Sequence, residues 1–84
     1  MIDDPERRLE QVFRYALNLD PSVELATLRR GEVEEWDSLG HVMLMAGVES
    51  EFDVTIELEE ALELHTFDEV HDLLLQKTKK AKAS

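Results

Sequence analysis

The chain contains no cysteine, so neither a disulfide framework nor a cysteine-held zinc site is open to it. That composition fits a reducing compartment. No apolar run approaches the roughly 20 residues needed to cross a bilayer as a helix, so membrane insertion is not expected. The segment Met1-Ile2-Asp3-Asp4-Pro5 has neither a basic region nor an apolar core, and therefore does not read as a secretory signal. A cytoplasmic protein, monomeric and of one domain, is the expectation for 84 residues of this kind. A helical bundle of that size stands alone with only a thin stability margin.

Bases are also scarce. Lysine and arginine number nine against twenty acids, for a net charge of −11. All the acids precede Lys77, whereas Lys77, Lys79, Lys80 and Lys82 crowd the last eight positions. Such a field repels nucleic acid phosphates and attracts basic protein surfaces. High charge of one sign also simply keeps a small domain in solution.

Four helical segments follow from spacing. Asp4 and Pro5 suit a helix start, and Leu9, Val12, Phe13, Ala16 and Leu17 recur on one face. That helix is expected to stop near Leu19, ahead of Asp20-Pro21. Residues 20–37 form a long loop in which Val23, Leu25, Leu28 and Val33 can tack the chain to a core. A second helix spans Ser38 to Phe52, capped by Asp37 or Ser38, with Leu44, Val48 and Phe52 on its buried face. Gly47 inside it costs roughly 1 kcal/mol of helix propensity against alanine, which a close helix–helix approach would justify. An extended connector carries Val54 and Ile56, and a short third helix covers Glu59–Leu64. The last helix is capped by Thr66 and carries Phe67, Val70, Leu73 and Leu74. Residues 1–76 thus read as one all-α domain, and 77–84 as a lysine-rich tail expected to fray.

The informative segment is Trp36-Asp37-Ser38-Leu39-Gly40-His41-Val42. It resembles the phosphopantetheine attachment signature of the acyl carrier protein family, which includes peptidyl carriers, where Asp-Ser-Leu opens the second helix. The similarity continues through Glu51-Phe52-Asp53-Val54-Thr55-Ile56, Glu59-Glu60 and Thr66-Phe67-Asp68-Glu69-Val70. Alone, Asp37-Ser38 would read as ordinary capping residues; after a long loop and before an amphipathic helix it reads as attachment.

The resemblance implies a small four-helix bundle of acyl-carrier type and a 4′-phosphopantetheine arm on Ser38. It implies an acyl or aminoacyl group carried as a thioester, and no enzymatic activity of the chain itself. Its partners would be a phosphopantetheinyl transferase and an acyl- or aminoacyl-activating ligase, synthase or transferase. Asp37 would help hold the Mg²⁺ used only during that transfer. A serine hydrolase built on Ser38 and His41 would need a larger scaffold and the Gly-x-Ser-x-Gly turn, which is absent. No histidine pair has the spacing of a helical metal site.

The second helix departs from the fatty-acid synthesis carriers, which bear acids near its beginning. Here Leu39, His41, Val42 and Met43 stand near the arm and Glu49 and Glu51 lie further along. Partner recognition is therefore expected from an apolar patch with His41 exposed beside it and from Glu49 and Glu51 beyond, with Val42 at the boundary between patch and core. That departure points to a specialised biosynthetic pathway. The alternative is an unmodified, carrier-like acidic protein that binds a basic partner through Glu49 and Glu51.

Overall fold

The computed structural model describes residues 4–83, with side chains through Thr78. Met1, Ile2, Asp3 and the side chains of Lys79, Lys80 and Lys82, which entered the reading of the two ends, lie outside the described residues. Four helices make a small all-α bundle: α1 Pro5–Ala16, α2 Ser38–Phe52, α3 Leu58–Leu62 and α4 Phe67–Ala83. Among the described residues the only β-type pairing is an isolated bridge between Arg29 and Thr66. No described helix is long and apolar enough to cross a membrane.

Helix α1 starts as the sequence predicts, with Asp4 Oδ1 accepting from the Glu6 amide and Pro5 in the first turn. It ends at Ala16, short of the expected stop. Asn18 takes a left-handed conformation, φ 55°, and the Leu19 amide donates back to the Arg14 carbonyl at 2.9 Å. This is a Schellman closure, which asparagine enters more easily than other non-glycine residues. The proline at position 21 is not what ends the helix.

Helix α2 has the predicted bounds. Its packing against α1 explains Gly47, where an added Cβ would lie 3.0 Å from Val12 Cγ1. Helix α3 is displaced slightly from its expected position. The Glu57 amide donates to Glu60 Oε1, so the helix begins at Leu58, and Leu64 is buried beyond its end. Thr66 caps α4 as expected, its Oγ1 accepting from the Glu69 amide. That helix continues past Gln76, where fraying was expected from the lack of apolar partners. Lys77 is held instead by an ion pair, Nζ to Glu60 Oε1 at 2.9 Å.

The core centres on three rings. Phe13 of α1 meets Trp36 edge-on at 5.2 Å and Phe67 of α4 at 5.0 Å. Leu9, Leu44, Val48, Val70 and Leu74 close around them. Leu25 and Leu28 pin the long loop to this core, as their placement in the sequence predicts. Trp36, completely buried, anchors the loop's end immediately before α2.

Candidate functional site

The start of α2 is shaped from both sides. Upstream, Gly31 has φ 90° and its amide donates to the Trp36 carbonyl, which turns the loop back so that the indole enters the core. The Arg30 amide donates to the His65 carbonyl, and its guanidinium donates to the carbonyls of Leu62 and Leu64 at 2.8 Å each. The loop is thereby tied to α3 and to the turn that follows it.

Asp37 is the N-cap of α2, its Oδ1 accepting from the Gly40 amide at 2.8 Å. Ser38 is the first helical residue and is exposed, with its hydroxyl at the positive end of the helix. Gly40 is buried, and a Cβ there would collide with the Glu35 carbonyl. Asp37 therefore does the capping, Gly40 lets the loop press close, and Ser38 is left outward.

His41 corrects the sequence reading. It is 6 % exposed, not a surface recognition residue. Trp36 Nε1–H donates to His41 Nδ1 at 3.0 Å, and His41 Nε2 lies 2.8 Å from the Ala61 carbonyl. Indole can only donate, so Nδ1 is the acceptor, Nε2 carries the proton, and the ring is neutral. Burial is the main cause that pushes its pKa down. The hydrogen bond to Ala61 opposes that shift, while the charges of Arg30 and His65 reinforce it. Both ring nitrogens being occupied, His41 makes no nucleophile–base contact with Ser38.

The remaining predicted residues divide between two surfaces. Leu39, Val42 and Met43 are exposed, at 68 %, 64 % and 53 %. A groove of about 420 Å³ between α2 and α3 runs beside Ser38. Its α2 wall includes Val42, Ala46 and Glu49, its opposite wall Ile56, Leu58 and Leu62, and its floor His41, Met45 and Ala61. Met43 and Glu51 instead line a second groove of about 380 Å³, between α1 and α2.

Neither acid stands unengaged. Glu49 Oε2 accepts from the Ile56 amide at 2.7 Å, and Glu51 Oε2 pairs with Arg8 Nε at 2.9 Å. The site thus brings Asp37, Ser38, His41, Val42 and Glu49 together and leaves Met43 and Glu51 on the other side of α2.

Four residues escaped the sequence reading: Trp36 as the partner of His41, Arg30 as the tie to α3, and exposed Leu58 and Leu62 as the far rim. A signal for the first was present. Positions 41, 44 and 48 share one helical stripe, which placed His41 on the buried face beside Leu44 and Val48. Comparison with family models, curated proteins and solved structures finds no match to the chain.

Proposed function

We propose that the chain is a discrete acyl carrier protein, not itself an enzyme, whose Ser38 receives a 4′-phosphopantetheine arm. The observation that carries this reading is Ser38 itself: an exposed serine at the first position of α2, freed from capping by Asp37, with an apolar-walled groove beside it. A phosphodiester on Ser38 would meet the positive end of the α2 dipole. When bound, the arm would supply a thiol that holds an acyl or aminoacyl group as a thioester. The chain's part is to tether that group and raise its effective concentration at a docked enzyme.

Asp37 Oδ1 is engaged with Gly40, so Oδ2 is the oxygen that would face the Mg²⁺ of a phosphopantetheinyl transferase. Exposed Leu39, Val42, Leu58 and Leu62 surround the attachment point. Partner enzymes, whether ligase, synthase or transferase, would read an apolar surface there, consistent with a specialised pathway.

The alternative, an unmodified acidic protein recognised through Glu49 and Glu51, is disfavoured because both carboxylates already bind partners within the chain. The test is incubation with coenzyme A and a broad-specificity transferase, followed by intact mass. A single pantetheine-sized gain is expected, abolished in Ser38→Ala. Because Asp37 is the cap, Ser38→Ala should fold normally, so the comparison is clean. No gain on the native chain, or an undiminished gain on the variant, would refute the assignment.

A further inference from the structure

The groove beside Ser38 has an unusual floor. His41 is the one buried polar or charged side chain among the described residues, and it lies between the groove and the aromatic core. Behind it stands Trp36, packed on Phe13; beside it on the floor lies Ala61 of α3, whose carbonyl is 2.8 Å from Nε2. An apolar residue at this position could swing to another rotamer and admit a chain into the bundle, losing only van der Waals contacts. The imidazole cannot. Displacing it would break both of its hydrogen bonds and strand the Trp36 N–H and the Ala61 carbonyl without partners.

We infer that His41 is a barrier that keeps cargo attached at Ser38 in the surface groove between α2 and α3 and out of the aromatic core. This rests on the carrier reading and sharpens it toward a cargo class. A chain lying in this open surface groove keeps its outer side in water along its length, so short acyl or aminoacyl groups suit it, whereas a long alkyl chain would stay largely exposed. It makes His41 a specificity-determining residue that touches neither partner enzyme nor thioester.

The absence of native cysteine permits a test independent of any transferase. In Ser38→Cys, methyl, butyl, octyl and dodecyl methanethiosulfonates each attach an alkyl chain as a mixed disulfide: the introduced thiolate attacks the thiosulfonate sulfur and expels methanesulfinate. With His41 in place, the thermal midpoint is expected to rise to butyl and then stay level. With His41→Ala added, octyl and dodecyl should raise it further. His41→Gln, whose amide can still donate to Ala61, should keep the plateau.

Trp36 is the only tryptophan and supplies a second readout. A terminally brominated octyl chain should leave its emission nearly unchanged beside His41 and quench it about twofold or more in His41→Ala, since heavy-atom quenching needs contact. Quenching by free acrylamide should be equal in both, showing that the fold has not loosened. A midpoint that climbs steadily to dodecyl with native His41 overturns the inference, even where His41→Ala fails to fold. So does strong bromoalkyl quenching with His41 present. Failure of coenzyme A transfer to Ser38 would sink the carrier assignment instead, and leaves these measurements standing.

Discussion

Trp36 and His41 are bonded to each other inside the core, indole Nε1 donating to imidazole Nδ1 at 3.0 Å. One residue ends the long loop and the other lies in the first turns of α2. Their bond therefore fixes how the loop delivers the chain to Ser38, and the following expectations centre on that junction.

The first concerns the bond itself. Trp36→Phe keeps a ring against Phe13 but leaves a buried imidazole nitrogen without its donor, an expected loss of about 1–3 kcal/mol. His41→Leu leaves the indole N–H unpaired in turn. A double-mutant cycle by urea denaturation should give a coupling of about 1 kcal/mol between them. Simple additivity would mean that the two side chains do not act as a pair.

The second concerns pH. The pKa of His41 is lowered in the folded state by burial, against an unfolded value of about 6.5. Below that value the unfolded chain binds a proton that the native chain refuses, so stability is lost as pH falls from about 6.5 toward the depressed native pKa. Above it the contribution is complete. Urea midpoints between pH 8 and 5 should therefore fall more steeply for the native chain than for His41→Gln. Parallel profiles would contradict a buried neutral imidazole.

Capping and attachment can be separated by mutation. Asp37→Ala removes the acceptor of the Gly40 amide and should cost about 1 kcal/mol, whereas Ser38→Ala should lie within about 0.5 kcal/mol of the native chain. Chemical denaturation of both decides the matter. A larger loss at Ser38 would show that the hydroxyl is structural.

The two glycines of α2 should behave in opposite ways. At Gly40 an added methyl runs into the backbone carbonyl of Glu35, which cannot turn aside, so Gly40→Ala should cost about 1–3 kcal/mol and disturb the loop before Ser38. At Gly47 the obstacle is a methyl group of half-buried Val12. Relief of the helix-propensity cost of about 1 kcal/mol should roughly balance the contact, leaving Gly47→Ala near neutral. Thermal midpoints of the two variants give the comparison.

Arg30 illustrates what spacing along the chain does not reveal. Its guanidinium reaches carbonyls 32 and 34 residues away and ties the loop to α3, an arrangement with no local signature. The same holds for Glu49, whose carboxylate caps the connector amide at Ile56, and for Glu51, paired with Arg8 of α1. On the sequence, both acids read as free charge for a partner.

What the sequence by itself determined was the set of helices and the place where α2 begins. Caps such as Asp4, Asp37 and Thr66, and apolar stripes such as Leu9–Phe13 and Leu44–Val48, act within one or two turns, so neighbouring residues suffice to specify them. The serine that stands outward at the head of α2 belongs to that local chemistry. What only the tertiary structure decided was which of its neighbours turn inward. His41 is buried because a tryptophan on the loop and a carbonyl on α3 converge to satisfy both its nitrogens, and a polar ring enters a core only where such partners arrive from elsewhere in the chain.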